Sequence, residues 1–140
     1  MIREYIPADA DEIARIWGAA NALAHPFLTE AFVAQEAENL RNIYLPNAET
    51  WVIEQDGSPV GFIALIGAEI GGLFLLPSLH GQGLGKALLD HARGLKGPLT
   101  VEVFRRNAIG RKFYNRQNFV ETERYLHEPT SEDVIRMALS

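Results

Sequence analysis

Apolar positions along the chain switch between two spacings, and the switches outline its elements. Residues 2–6 read as a short opening strand. Beyond Pro7 the spacing becomes helical, with Ile13, Ile16, Trp17 and Ala20 on one face, Asp9 as N-cap and Glu12 three residues on. His25-Pro26-Phe27 interrupts this helix, because the residue before a proline avoids the helical region. A second helix starts after Thr29, with Val33, Ala37, Leu40 and Tyr44 inward, and Leu45-Pro46-Asn47 closes it. Strands follow at 51–53, 60–66 and 70–76, the first two joined at Asp56-Gly57, a hairpin turn signal. A third helix runs from Leu84 with Ala87, Leu88, Ala92 and Leu95 as its stripe, and stops near 94–97 ahead of Pro98. Residues 99–103 alternate as a strand, 107–117 form a fourth helix, and 119–124 and 134–139 are terminal strands around a polar loop that begins at His127. The order β-α-α-β-β-β-α-β-α-β-β predicts a mixed α/β domain with one sheet and helices on both faces.

The junction between the fourth strand and the third helix carries the strongest chemical signal. Leu73-Phe74-Leu75-Leu76-Pro77-Ser78-Leu79-His80-Gly81-Gln82-Gly83-Leu84-Gly85-Lys86 is an apolar strand, a proline stop, then alternating glycines at a helix entrance. Such a turn leaves backbone N–H groups bare at the positive end of a helix dipole, which suits phosphate. A turn that needs glycine only for its dihedral angles is the competing reading. The spacing excludes a P-loop, since Ala87 follows Gly85-Lys86 where Ser or Thr is required. It also excludes the dinucleotide fingerprint, whose glycines are not evenly spaced.

Composition narrows the classes. At 140 residues the chain suffices for one domain with a core and is too short for two, so 1–140 is expected to be a single domain. No apolar run is long enough to span a membrane, and the first residues have no signal-peptide core. With no cysteine, a disulfide scaffold, a thiolate metal site and a cysteine acyl-enzyme are excluded, no metal is expected, and a cytoplasmic protein is the default. The net charge of −5 is unevenly placed. Residues 1–80 hold three Lys/Arg against eleven Asp/Glu, residues 81–116 hold eight against two, and the remainder two against five. The basic stretch coincides with the glycine loop and the segment after it, and the acidic part suits a cationic amine; solvated helix faces explain the same pattern. The overall acidity disfavours nucleic acid.

The glycine stretch resembles the Q/R-x-x-G-x-G/A signature of the GNAT superfamily of acyl-CoA-dependent N-acetyltransferases, with His80 standing where the family usually has Gln or Arg. A second stretch, Asn107 to Phe119, resembles the family pattern N-x-x-A-x-x-F-Y-x-x-x-G-F. Gly110 replaces its Ala, a mild helix penalty, and Asn118 replaces its Gly, a change that a left-handed helix cap absorbs. The predicted element order is also that of the GNAT fold, so the resemblance covers nearly the whole chain. It implies a sheet of about six or seven strands splayed between strands four and five.

The resemblance further implies acetyl-CoA in that splay. Backbone N–H groups of Gly81, Gln82, Gly83, Gly85 and Lys86 would hold the pyrophosphate beside His80, Leu75 would extend the strand facing the pantetheine arm, and Asn107 would touch the cofactor. Tyr114 matches the family's general acid for the departing thiolate, and a neutral amine would attack the thioester directly. A lysine-like amine titrates near 10.4, about three units above neutrality, so burial or a base must deprotonate it. Candidate bases are Glu102, on the face of its strand opposite Leu99, Val101 and Val103, and His80. His25, Phe27, Tyr44 and Trp51 are candidates for the acceptor side, though a turn-capping histidine and core aromatics explain them equally.

Three functions compete. The first is acetyl transfer to a primary amine, on a small molecule or on a protein lysine or N-terminus. The second is a non-catalytic CoA-binding module of the same fold, and the third an unrelated phosphate binder; Tyr114 argues against the former and the F-Y motif against the latter. Family members are often homodimers, and no stretch of the sequence marks an interface or names the acceptor.

Overall fold

A computed structural model describes residues 1–140. Its strands are β1 (Ile2–Glu4), β2 (Glu49–Gln55), β3 (Ser58–Ile66), β4 (Glu69–Leu75), β5 (Leu99–Phe104), β6 (Val120–His127) and β7 (Glu132–Leu139). The helices are α1 (Ala10–Ala24), α2 (Glu30–Asn39), α3 (Leu84–Lys96) and α4 (Ala108–Arg116). One seven-stranded sheet runs in the order β1-β2-β3-β4-β5-β7-β6. All neighbours are antiparallel except β4 and β5. That parallel pair holds only at Glu69↔Thr100 and Ile70↔Val101, and beyond it the strands part. The predicted element order, mixed sheet and splay are therefore all present.

Alternation along the strands divides the core into two layers. Val52 and Phe62 face one way, into a cluster with Ile13, Ile16, Leu40 and Leu45 under α1. Ile53, Ile63 and Leu65 face the other way, against Leu88, Leu89 and Ala92 of α3 and the inner residues of β5 and β7. Full burial of such a side chain contributes about 1.5–3 kcal/mol. Turn chemistry sets the register: Asp56 and Gly57 both take positive φ (54° and 81°), as a two-residue hairpin requires. Asn118 ends α4 at φ 70° and so replaces glycine as expected.

The elements depart from expectation where tertiary contacts compete with local signals. Asp9 does not cap α1. It lies in a 3-10 turn at Pro7–Asp9, where its carboxylate accepts from the Ile6 N–H at 2.9 Å and pairs with Arg3 at 2.8 Å. Arg3 holds that carboxyl below the usual carboxylate range. Glu12 pairs with Arg15 instead of closing a capping box. The second helix passes through a π-type segment, Leu40–Tyr44, before the last turn Leu45–Asn47. The wider turn lets Pro46, which has no N–H, sit inside a helical path. Only Leu40 of the predicted stripe is buried; no residue of α2 itself is, because the helix roofs a cavity instead of covering core. On α3, Leu89 is buried and Leu95 is exposed, one step round from the predicted stripe. Trp51 stands on the α3 face of the sheet, edge-on to His91 at 4.3 Å, with its ring N–H donating to Glu49.

Candidate active site

The cleft begins where the backbone breaks. β4 carries a bulge against β3, in which Ala64 pairs with Gly72 and Leu65 with Ile70, leaving Gly71 as the extra residue. A bulge bends its strand and sharpens its twist, and this one directly follows the last β4–β5 pair. Past that point one edge of β4 has no strand partner. The resulting cavity, about 750 Å³, runs from the glycine loop through the splay to the underside of α2. Gly71 and Gly72 expose backbone to it.

At one end lies the loop. Leu79 and His80 close a short turn, and then the backbone N–H groups of residues 81–86 find no acceptor within the protein. Gly83 enters α3 at φ 82°, a conformation that only glycine adopts freely. Gly85 packs so that an added Cβ would lie 3.2 Å from the Phe113 ring and 3.3 Å from Leu75. His80 donates from Nε2 to the Leu75 carbonyl at 3.3 Å, tying the loop to the end of β4. Lys86 pairs with Asp90 one turn along.

Tyr114 of α4 lies across the splay. It is 5 % exposed and borders the cavity. Burial alone pushes its ionisation above the ordinary tyrosine range, with no hydrogen-bonding partner contributing. Asn107 caps α4: its Oδ1 accepts from the Gly110 N–H at 2.8 Å, and its Nδ2 donates to His25 Nε2 at 3.1 Å. Burial pulls the His25 imidazolium down to about 4.

The far wall is aromatic and acidic. Phe104, from the end of β5, meets His25 at 5.1 Å and His127 at 5.7 Å, both edge-on, and Phe32 of α2 faces His127. Glu102 borders the cavity with its carboxylate 3.1 Å from Arg136. The Tyr44 hydroxyl donates to Glu36 at 2.7 Å.

The family model for the acetyltransferase (GNAT) domain matches residues 46–121, which span the bulge, the loop and α4. The chain belongs to the GNAT acetyltransferase family. It is 36% identical over 124 residues to the peptidyl-lysine N-acetyltransferase YjaB of Salmonella typhimurium, covering 88% of this chain and 85% of that one. It is 31% identical over 120 residues to the peptidyl-lysine N-acetyltransferase YiaC of Escherichia coli, covering 85% and 82%. The solution structure of apo-form YjaB from Escherichia coli superposes with a TM-score of 0.89 at 28% identity, covering 99% and 95%. The chain is thus an enzyme whose reaction is acetyl transfer to an amine.

On this GNAT fold the residues singled out from sequence divide in two. Leu75, His80, Gly81, Gly83, Gly85, Lys86, Asn107 and Tyr114 all border one cavity, and Glu102, His25 and Tyr44 border its far half. Gln82 does not border it, although its backbone N–H is among those without an acceptor. Phe27 lies behind the lining, packed on His25 at 5.8 Å and under the Arg106 guanidinium at 4.6 Å. Trp51 packs with the core on the α3 face of the sheet and does not border the cavity. The Asn107 carboxamide is engaged within the protein at both ends. Phe32, Glu36, Phe104 and His127 join the site without having been singled out from sequence. Phe104 shares a strand face with Glu102, a signal that alternation carries; His127 belongs to β6, which runs three residues past its expected end.

Proposed function

We propose that this enzyme, one N-acetyltransferase domain over residues 1–140, acetylates protein lysine side chains in the cytoplasm with acetyl-CoA as donor. Bound acetyl-CoA supplies an acetyl group activated as a thioester. The observation that carries the cofactor assignment is the run of backbone N–H groups at 81–86 without acceptors, at the end of the cavity. Six bare donors at a helix N-terminus fit a diphosphate, and the local excess of Lys and Arg adds to that fit. The unpaired edge of β4 up to Leu75 offers its backbone to an extended amide chain. Backbone N–H groups at the Gly71 bulge are assigned to the carbonyl oxygen, where developing negative charge needs donors.

Tyr114 is assigned as the general acid. Burial keeps its proton on the hydroxyl, and no protein group competes for it, so it is available to the leaving sulfur. Glu102 is already paired with Arg136, so we assign it, with Glu36, to attraction of a cationic acceptor and not to proton transfer. His80 holds the loop to β4. Deprotonation of the lysine is assigned to desolvation against Phe32 and Phe104, since burial lowers an amine's pKa. The names of the two curated relatives support lysine in proteins as the acceptor.

Calorimetry with CoA, followed by acetyl-CoA turnover against lysine peptides, free amino acids and polyamines, tests this reading. CoA binding with acetylated lysine peptide is the expected result. Turnover confined to a small amine would reject the acceptor, and binding without any turnover would return the chain to a non-catalytic CoA-binding module.

A further inference from the structure

The His25 ring sits at a junction that the transfer reaction leaves unexplained, and its hydrogen bonds can be assigned atom by atom. The Gly110 N–H can only donate, so the Asn107 atom 2.8 Å away is its carbonyl oxygen. The other end of the carboxamide is then the NH₂ group, 3.1 Å from His25 Nε2. An NH₂ group also only donates, so Nε2 accepts and carries no proton. The ring proton of the neutral imidazole must lie on Nδ1, which is 2.7 Å from Asn21 Oδ1. Asn21 grips the same residue twice, since its backbone carbonyl accepts the His25 N–H at 2.8 Å. Asn21 is 3% exposed and Asn107 8%, so these are buried polar groups whose partners are each other.

We infer that Asn21, His25 and Asn107 form a positioning relay, with His25 as the Nδ1–H tautomer, that ties the end of α1 to the first turn of α4 and so sets the place of Tyr114. Tyr114 is one helical turn beyond Gly110, on the same face. Gly110 belongs to the device: a Cβ there would lie 2.5 Å from Asn107 Nδ2 and drive the carboxamide away. An alanine there, as in the family motif, would require the carboxamide to turn from this position. Phe27 and Phe104 hold the ring edge-on at 5.8 and 5.1 Å. The charged groups on the packed elements, Arg106 over Phe27 and Glu36 and Glu102 on the cavity wall, make no pair with it. Burial disfavours the imidazolium, so the relay stays intact through mildly acidic pH. With both nitrogens engaged, His25 is a positioning residue and not the base for the amine.

Nitrogen-15 NMR of the histidine rings in the whole protein tests the tautomer. The expected spectrum shows Nδ1 protonated and Nε2 bare, unchanged from pH 7.5 to pH 5; an Nε2–H tautomer, or an imidazolium at pH 6, would overturn the relay. Two variants test its effect with acetyl-CoA and a lysine peptide. Glutamine at 25 reaches as far as Nε2 and keeps an acceptor for Asn107, whereas asparagine reaches only as far as Nδ1. Both lose the aromatic packing equally. His25→Asn should lower kcat by about 10- to 100-fold, the cost of a misplaced reacting group, while His25→Gln stays within about threefold and CoA affinity is unchanged in both. Equal kcat in the two variants would overturn the relay. The kinetic arm rests on the proposed role of Tyr114; a wild-type protein without turnover would sink that role while the ring spectrum still decides the relay.

Discussion

Removing the Tyr114 hydroxyl separates chemistry from packing, because the structure predicts a slower reaction and an unchanged fold. Tyr114→Phe keeps the ring that packs edge-on against Phe113 at 5.2 Å and Phe119 at 5.0 Å. The hydroxyl has no hydrogen bond within the protein, so its loss forfeits none. The hydroxyl faces the cavity and is not a buried atom left without a partner, so the variant should melt close to the wild-type temperature. General acid catalysis is worth about 10²–10⁴ in rate, or roughly 3–5 kcal/mol. The low end is expected, since a thiolate is a tolerable leaving group and water can replace the hydroxyl. Affinity for CoA should hold, because the proposed phosphate donors lie on the loop before α3 and not on α4. Burial also raises the tyrosine ionisation above its ordinary range. The rate should therefore show no alkaline limb from this group below about pH 10, the ordinary tyrosine value. Measured together on one sample, kcat, CoA affinity by calorimetry and melting temperature decide the matter. A kcat within about threefold of wild type, below the usual range for general acid catalysis, would refute the assignment, and a lowered melting temperature would show a structural partner for the hydroxyl.

Gly83→Val should abolish CoA binding in calorimetry while the chain stays folded, since a β-branched residue resists the φ of 82° and its side chain would cover the donors; unchanged affinity would remove the loop from the cofactor site. Stability should also fall on mild acidification. Folded His25 titrates near 4, against about 6.5 for an unperturbed histidine. Between those values the unfolded chain binds the extra proton, so stability is full above pH 6.5 and is lost as the pH falls toward 4, by up to about 3 kcal/mol. Urea unfolding across that window should give a slope in the wild type that His25→Gln flattens.

Backbone chemistry made half of the site legible in the sequence. The proposed phosphate donors are N–H groups freed by glycine spacing, so Gly81, Gly83 and Gly85 announce them wherever the fold places them. Asp56-Gly57 and Asn118 are legible for the same reason: each is a residue type selected by a backbone angle. Where a contact joins distant segments, the local signal fails. Asp9 reads as a helix cap but is claimed by Arg3. His25 and Asn107 are 82 residues apart, and nothing near either one discloses the bond between them. Gly110 reads as a defect in a helix until the carboxamide that occupies its space is seen.

The proposed acceptor half is hidden for a different reason. Periodic patterns report burial, and burial is what a pocket wall lacks. α2 has apolar residues at helical spacing, yet none is buried, because they face open space under the roof of the cavity. Trp51 shows the converse: a large aromatic next to the expected site that serves the core on the other face. A single-residue error in strand phase or length moves a side chain between those two fates. His127 escapes a local reading because it sits at the end of β6, which runs three residues past its expected end, whereas Phe104 continues the alternation of β5 one position further; each delivers an aromatic ring to the cleft. In this enzyme the proposed donor side is thus written in glycines and can be read locally, whereas the proposed acceptor side depends on how far three separate elements extend before they meet.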